Sequence, residues 1–142
     1  MNSPEHIVVV GASAAGITAA RALRAQGWGG RLTLIGKEGG MPYDRPPLSK
    51  RLMAGECPVE ALNLVSEDGM KALNLHYLDG TSATGLDTDA SSLQLSNGST
   101  LQYDRLLIAT GAEPRVIPNL SQAANCYSLR NLNDALAIRE HL

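Results

Sequence analysis

The hydrophobic positions of the first 35 residues predict a strand, a helix and a second strand. The run from Ile7 to Val10 is continuous and β-branched and ends at a glycine, which is typical of a strand buried on both faces of a parallel sheet. Strong helix formers follow from Ala14 to Gln26, and Gly27 is well placed to end that helix. The segment "RLTLI", residues 31–35, predicts the next strand. The three elements predict a βαβ unit with parallel strands.

Three further helices are predicted beyond this unit. The pair Pro46 and Pro47 is suited to open a helix over residues 48–53, because the first turn of a helix needs no backbone N–H. A second short helix is expected over residues 61–73. The last segment, residues 131–142, is expected to be helical, with Asn131 or Asn133 as the N-cap residue.

Between the second and third of these helices the hydrophobic period changes to two, which predicts a series of strands. The sequence "SNGS" at residues 96–99 is a hairpin-turn signal within that series. Residues 106–109, "LLIA", are predicted to form another buried strand. The predicted fold class is therefore α/β, with a Rossmann-type parallel sheet, helices and an attached antiparallel β-hairpin.

Composition narrows the range of functions. The chain has 142 residues, a formal net charge of −2 and 44% hydrophobic residues, which is enough for one core and predicts one domain. Lysine and arginine form no block, which argues against a nucleic-acid partner. No apolar run approaches the ~18 residues of a membrane span, and Glu5 and His6 stand where an export signal would carry positive charge. A cytoplasmic location without membrane attachment is expected.

The two cysteines predict no special chemistry. Cys57 and Cys126 are far apart in sequence, and neither belongs to a Cys-x-x-Cys motif or a Cys/His cluster. Free thiols are therefore expected, and no disulfide framework or metal site is predicted.

The loop from Gly11 to Gly16 follows the first strand and opens the first helix, as a phosphate-binding loop of a nucleotide fold does. In such a loop the first glycine makes the turn and the third lets the helix pack on the strand. Ser13 stands where backbone approaches the pyrophosphate most closely. Its Cβ is a disadvantage, but its hydroxyl and the free N–H groups of the helix start can still hold phosphate. A close strand-to-helix crossing without a ligand is the alternative interpretation.

The same fingerprint places an acidic residue at the end of the second strand, where it binds a ribose hydroxyl. Here that strand runs out at Gly36, Lys37 and Glu38, so Glu38 is the available carboxylate although it lies late. Lys37 would instead suit a 2′-phosphate. Either side chain could equally be solvated.

A more specific motif follows at residues 43–50, "YDRPPLSK". It resembles the flavin-facing segment of FAD-dependent, NADH-using ferredoxin reductases, of the putidaredoxin-reductase and rubredoxin-reductase type, within the pyridine nucleotide-disulfide oxidoreductase superfamily. The resemblance extends over the whole chain through five segments, which are "VVVGASAAG", "GWGGRLTLIG", "PYDRPPLSK", "LSNGSTLQYDRLLIATGAEPR" and "LRNLNDALAIREHL".

The resemblance implies FAD as the cofactor and assigns roles residue by residue. It places the pyrophosphate on the loop Gly11, Ser13, Ala14, Ala15 and Gly16, and the adenosine end on Gly36, Lys37, Glu38 and the backbone of Ala83. It places Lys50, with Arg45 and Pro47, beside the isoalloxazine, and Thr110, Gly111 and Arg130 over the cofactor. Relatives usually carry an acid at the position of Lys37.

Lys50 is the candidate catalytic residue. A cation beside a flavin stabilises the anionic reduced ring and so favours hydride uptake. A surface lysine is the alternative interpretation, but the preceding Pro46 and Pro47 rigidify the turn that would aim it. Disulfide reductases of the same superfold carry a Cys-x4-Cys pair in the region where this chain has Cys57 alone. The expected scheme is therefore hydride from NADH into FAD, and single electrons out to a ferredoxin or rubredoxin.

Two other functions remain open from the sequence. A single-Rossmann NAD(P) dehydrogenase would need catalytic partners that His76 and His141 do not have in the sequence. A non-catalytic nucleotide-binding or interaction module is the third hypothesis.

The resemblance also implies that residues 1–142 are a truncated N-terminal FAD-binding segment, since relatives add an NADH-binding fold and a C-terminal domain. The chain alone is therefore expected to be inactive, nearly colourless and self-associating.

Overall fold

The computed structural model describes residues 3–115, 117–118, 123 and 125–141. The chain divides into two units, one formed by Met1–Tyr43 with Leu64–Thr110 and the other by Asp44–Asn63 with Gly111–Leu142. In chain order, the described elements are β1 (His6–Val10), α1 (Ala14–Ala25), β2 (Arg31–Ile35), α2 (Glu67–Ala72), β3 (Leu75–Leu78), β4 (Ala83–Asp87), β5 (Ser92–Leu95), β6 (Thr100–Gln102), β7 (Arg105–Ile108) and α3 (Leu132–His141), with short 3₁₀ turns at Pro46–Ser49 and Val59–Leu62.

The first unit is built on a four-stranded parallel sheet with the order β3-β2-β1-β7. Strand β1 pairs with β2 in the register Val8 to Thr33 and Val10 to Ile35. One face of the sheet packs against α1 through Val9, Ile17, Ala20 and Leu34. The other face packs Val8, Val10 and Ile35 against Leu93 and Leu95 of β5. The predicted α/β class and the βαβ unit are therefore confirmed.

A second sheet in this unit is antiparallel, with the order β4-β5-β6. Its hairpin turn lies at residues 96–99, as predicted. Gly98 adopts φ +83°, which is the left-handed conformation that such a turn requires. The side-chain oxygen Oδ1 of Asn97 accepts a hydrogen bond from the backbone N–H of Ser99 at 3.0 Å.

Two predicted helices are wrong in extent. In place of a helix over residues 48–53, the chain makes only the 3₁₀ turn at Pro46–Ser49, because Lys50 leaves helical geometry with φ −127° and ψ −106°. In place of a helix over 61–73, α2 begins at Glu67. Its start is set by Ser66, whose hydroxyl accepts a hydrogen bond from the N–H of Gly69 at 3.1 Å.

Two strand predictions also need correction. Strand β3 belongs to the parallel sheet, beside β2, and not to the antiparallel series. The segment 106–109 was predicted to be buried, but Leu107 is 41% exposed and Ile108 is 62% exposed. The reason is that β7 is the edge strand of the parallel sheet in the described part of the chain. A continuous apolar run does not distinguish a central strand from an edge strand.

The second unit buries a small set of apolar side chains: Leu48, Leu52, Cys57, Leu62 and Ala135. Its helix α3 begins with a reciprocal cap, which settles the choice between the two asparagines in favour of Asn131. Oδ1 of Asn131 accepts from the N–H of Asp134 at 2.9 Å, and Oδ2 of Asp134 accepts from the N–H of Asn131 at 3.0 Å. The last residue of the predicted helix, Leu142, lies outside the described residues. None of the described helices combines the length and the apolar content needed to cross a membrane.

Candidate cofactor-binding site

Most of the predicted cofactor residues of the first unit lie beyond the carboxyl ends of the parallel strands. Backbone hydrogen bonds join the points where the strands end. The N–H of Gly11 donates to the carbonyl of Ile35 at 2.8 Å, the N–H of Gly36 to Leu78 at 3.0 Å, and the N–H of Ala109 to Val10 at 2.7 Å. The glycine loop, the turn after β2 and Thr110 therefore lie together at the carboxyl end of the parallel strands. Ligands bind at this end in open α/β folds.

Both glycines of the loop are required by backbone packing. Gly11 has φ +117°, and a Cβ on it would overlap the carbonyl oxygen of Ala109. A Cβ on Gly16 would overlap the carbonyl oxygen of Gly11. The first and third glycines thus make the turn and the close helix-to-strand contact that the fingerprint predicts. A close strand-to-helix crossing without a ligand would show the same glycine geometry. The argument for phosphate binding therefore depends on the amino end of α1.

The amino end of α1 is suited to an anion. Ser13 is the N-cap residue, with an extended backbone at φ −120° and ψ −162°, and its hydroxyl makes no capping hydrogen bond to the helix. No acidic residue lies in the first turn, and Ala14 and Ala15 are exposed. The first backbone bond of the helix runs from the N–H of Ile17 to the carbonyl of Ser13 at 3.0 Å. The N–H groups before it have no partner within the helix and carry the positive end of its dipole, so the residues present fit a pyrophosphate.

The turn after β2, residues 36–41, adjoins this loop and carries a carboxylate. A Cβ on Gly36 would lie 2.9 Å from Cβ of Ala12, so the turn touches the phosphate loop at that point. Lys37 is exposed, whereas Glu38 is partly buried and its carboxylate accepts a hydrogen bond from the hydroxyl of Tyr43. The structure therefore brings the predicted pyrophosphate and ribose positions to neighbouring turns.

A second tyrosine holds the same turn. The hydroxyl of Tyr77, from β3, donates to the carbonyl of Gly40 at 3.0 Å. Burial, followed by the negative charges of Asp79 and Glu38, raises the pKa of Tyr77 to about 12. Its hydroxyl consequently remains a donor at any physiological pH. Sequence reasoning gave no role to Tyr43 or Tyr77. No local pattern indicates that the Tyr43 hydroxyl meets Glu38, or that a side chain of β3 reaches the turn after β2.

Ala83 follows a segment that is hydrogen-bonded to this turn. The N–H of Thr81 donates to the carbonyl of Gly36 at 2.9 Å, and Ala83 follows two residues later at the start of β4. Ala83 is partly buried and pairs with Leu95. On the other side of the loop, the backbone nitrogen of Thr110 is 3.0 Å from the position that a Cβ on Gly11 would occupy.

The remaining predicted residues belong to the second unit. Lys50 is exposed and follows the 3₁₀ turn, and its backbone N–H donates to the carbonyl of Pro47 at 3.0 Å. Arg45 and Pro47 are partly buried, and the carbonyl of Arg45 accepts from the N–H of Leu48 at 2.9 Å. The proline pair therefore shapes the turn that carries Lys50, as the sequence predicted.

Gly111 and Arg130 are neighbours within the second unit. Gly111 has φ +72°, and a Cβ on it would lie 2.8 Å from a terminal guanidinium nitrogen of Arg130. The backbone N–H of Arg130 donates to Oδ2 of Asp134 at 2.8 Å, which ties this residue to the cap of α3. The structure thus brings together two predicted residues that are well separated in sequence.

The fold and the motifs agree with a known protein family. The model of the family described as pyridine nucleotide-disulphide oxidoreductase matches residues 5–142. The chain belongs to the pyridine nucleotide-disulphide oxidoreductase family. Enzymes of this family are oxidoreductases that use FAD and NADH. The predicted family and the predicted cofactors of that family are confirmed.

Individual relatives narrow the comparison. Putidaredoxin reductase CamA of Pseudomonas putida is 41% identical over 146 residues, which cover 100% of this chain and 35% of that protein. The ferredoxin–NAD(+) reductase subunit of the benzene 1,2-dioxygenase system of Pseudomonas putida is 37% identical and covers 95% of this chain and 33% of its own length. The chain spans about a third of the length of these members of the pyridine nucleotide-disulphide oxidoreductase family.

A solved structure of the same family shows the same fold. It is the covalent complex of putidaredoxin reductase with putidaredoxin, in which the reductase is 41% identical to this chain. The TM-score is 0.90, and the match covers 99% of this chain and 34% of the reductase. The arrangement of the parallel and antiparallel sheets is therefore that of a pyridine nucleotide-disulphide oxidoreductase.

Proposed function

We propose that residues 1–142 form the FAD-binding part of an oxidoreductase that passes electrons from NADH through FAD to a ferredoxin or rubredoxin serving an oxygenase or cytochrome P450. The observation that carries the proposal is the uncapped, exposed amino end of α1, next to which Gly36 of the turn after β2 contacts Ala12. Relatives named as ferredoxin reductases support the choice of acceptor.

In this proposal the chain binds and orients FAD, and the bound flavin supplies hydride acceptance and single-electron release. The first turn of α1 holds the pyrophosphate through its N–H groups, with Ser13 tolerated at the point of closest approach. Glu38 binds hydroxyls of the adenosine ribose. Ala83 lies against the adenine through its backbone.

Residues of the second unit are assigned to the flavin end. Lys50 places a positive charge beside the isoalloxazine, on the turn shaped by Arg45 and Pro47. Gly111 leaves room for the guanidinium of Arg130. Thr110, which belongs to the first unit, is assigned to close over the cofactor. Lys37 is exposed and is assigned, with Gly36 and Glu38, to the adenosine end of the cofactor.

Ligand titration tests the cofactor assignment. We expect the 142-residue chain to purify nearly colourless, because relatives place further segments against the flavin, but to bind added FAD. Excess ADP should displace FAD, whereas riboflavin, which lacks the adenosine and the phosphates, should not bind. Isothermal titration of the three ligands decides the matter. Binding of none of them would favour an interaction module, and strong binding of riboflavin would contradict the assignment of Gly11 to Gly16.

A chimaera tests the catalytic role of Lys50. This chain would replace the matching third of putidaredoxin reductase, and Lys50→Ala would be compared with Arg51→Ala, which removes an exposed neighbouring cation. Lys50→Ala should slow flavin reduction by NADH far more than it weakens FAD binding, since the charge is needed as the reduced ring forms. Stopped-flow absorbance gives the rate. An unchanged rate with lost FAD would reassign Lys50 to cofactor anchoring.

We also infer that the isolated chain self-associates through the edge strand β7. Leu107 and Ile108 are exposed there, and an edge strand offers unpaired backbone groups. Light scattering should give a mass above that of one chain, and Ile108→Lys should lower it. A monodisperse monomer would refute this inference.

A further inference from the structure

Glu38 needs support from outside its own strand. It is the third residue after Ile35, the end of β2, so the ladder of the sheet does not fix its position. The turn 36–41 is instead tied by backbone bonds to the segment after β3. The N–H of Gly80 donates to the carbonyl of Glu38 at 3.5 Å, and the N–H of Thr81 donates to the carbonyl of Gly36 at 2.9 Å. These bonds hold the backbone but leave the direction of the carboxylate undetermined.

Tyr43 contacts the carboxylate itself. Its hydroxyl donates to Oε2 of Glu38, and its side chain is only 9% exposed, so the ring cannot swing away without leaving a packed site. A flexible glutamate loses rotamer freedom when it binds a ligand, and a side chain that is already held loses less. Tyr77 holds the other arm of the turn through the carbonyl of Gly40.

Resting on the proposed function, we propose that Tyr43 is a positioning residue that orients the Glu38 carboxylate toward the ribose hydroxyls of the adenosine half of FAD. The hydroxyl of Tyr43 is the group that acts, and the ring anchors it. Tyr43 touches the carboxylate and acts on the cofactor through it. Gly36, two residues before Glu38, contacts Ala12 of the glycine loop, so the turn that carries the carboxylate adjoins the loop proposed to hold the pyrophosphate.

The test separates orientation from general stability. FAD and its analogue with a 2′-deoxyadenosine group are titrated into the 142-residue chain and into Tyr43→Phe, Glu38→Gln and the double variant. Tyr103→Phe is the matched control, because Tyr103 packs against the apolar cluster on the other face of the sheet, which contains Leu93 and Leu95. Urea unfolding of each variant reports any loss of stability.

We expect Tyr43→Phe to weaken FAD binding about tenfold, or about 1.4 kcal/mol, and to leave binding of the 2′-deoxy analogue nearly unchanged. The double variant should bind FAD no more weakly than Glu38→Gln alone, since both changes act on one contact. Tyr103→Phe should retain the preference of the wild-type chain for FAD over the analogue.

Two outcomes would overturn the proposal in distinguishable ways. If the wild-type chain prefers FAD over the 2′-deoxy analogue and Tyr43→Phe keeps that preference, Tyr43 has no positioning role while the proposed function stands. If Tyr43→Phe weakens the binding of FAD and of the 2′-deoxy analogue equally, Tyr43 contributes only to stability. In that case too Tyr43 has no positioning role, while the proposed function stands. If the wild-type chain binds neither ligand, the proposed function fails and this inference fails with it.

Discussion

The parallel sheet of the first unit has two ends, and they satisfy their backbone groups in opposite ways. At the carboxyl end, glycines bring chain segments into contact, and the amino end of α1 has no side-chain cap. At the amino end, polar side chains cover the backbone. Asp104 accepts hydrogen bonds from the N–H groups of Glu5 and His6, both at 2.8 Å.

The carboxyl end of α1 lies at this amino end of the sheet and is covered by Arg24. Its guanidinium donates to the carbonyls of Trp28 at 2.8 Å, Gly30 at 3.0 Å and Leu73 at 2.8 Å. It also lies over the ring of Trp28, at 5.1 Å from the centroid. One side chain thus satisfies carbonyls of the loop between α1 and β2 and of Leu73, the C-cap residue of α2.

The difference agrees with the proposed function, in which the carboxyl end of the sheet binds the cofactor and the amino end contributes stability. A binding site needs backbone donors that no side chain has taken, and small residues that let a ligand approach. At the opposite end, side chains satisfy the backbone groups instead. Substitutions at the two ends should therefore affect different measurements, and four experiments examine that division.

The largest effect is expected from Gly16→Ala. The new Cβ would overlap the carbonyl oxygen of Gly11, and backbone cannot yield as a side chain can, so we expect a loss of about 3 kcal/mol or more in the free energy of unfolding. Gly39→Ala is the control, because nothing lies within 4 Å of its Cβ position. Urea denaturation measures both. Equal stability of the two variants would show that the loop is not tightly packed.

Arg24→Lys should have the next largest effect. Lysine keeps the charge but lacks the planar fork that reaches several carbonyls, so the expected loss is about 1–3 kcal/mol of unfolding free energy. Arg21→Lys is the matched control, since Arg21 donates to one carbonyl, that of Leu64, at 2.7 Å. FAD affinity, measured below the unfolding transition, should be unchanged in both. A loss of FAD binding in Arg24→Lys alone would mean that the two ends are coupled.

A pH dependence of stability should originate at the amino end. Burial, followed by the charge of Arg31, lowers the pKa of His6 below 6.5, and its ring nitrogen Nε2 lies 2.9 Å from Oγ1 of Thr33. The unfolded chain then binds a proton more readily than the folded chain as pH falls below 6.5. Stability should be fully present above pH 6.5 and decline below it.

Asp104 acts in the same direction at lower pH. Hydrogen bonds from the N–H groups of His6 and Glu5 lower the pKa of Asp104 below 3.8, so its stabilisation is present above that pH and is lost as pH falls further. His6→Gln should flatten the stability curve between pH 7 and 5, while His141→Gln, in the second unit, should not. Thermal melts between pH 7 and 5 measure the stability of each variant. If the stability of His6→Gln still declined with pH as in the wild type, the pH dependence would not originate at His6.

The smallest effect is expected from Ser13→Gly at the carboxyl end. The hydroxyl makes no capping bond to the helix, so its removal should preserve or slightly improve FAD affinity and barely change stability. Isothermal titration compares it with wild type. A loss of more than about 1.4 kcal/mol, a tenfold change, would show that the hydroxyl is itself a phosphate ligand.

The sequence by itself determined the elements whose cause is local. The β-branched run before Gly11 predicted β1, the glycine spacing predicted the turn into α1, and "SNGS" at residues 96–99 predicted the hairpin, because each depends on backbone conformations that a few adjacent residues select. The geometry of the glycine loop was predictable for the same reason.

Tertiary structure decided what depends on neighbours distant in sequence. The segment after Pro47 lost its predicted helix when Lys50 left helical geometry, and the apolar β7 became an exposed edge because of its place in the sheet order. Glu38 gained Tyr43 as its partner, and Tyr77 reached the same turn from β3. No short pattern specifies such contacts, since they arise only when the parallel strands align and bring their carboxyl ends together.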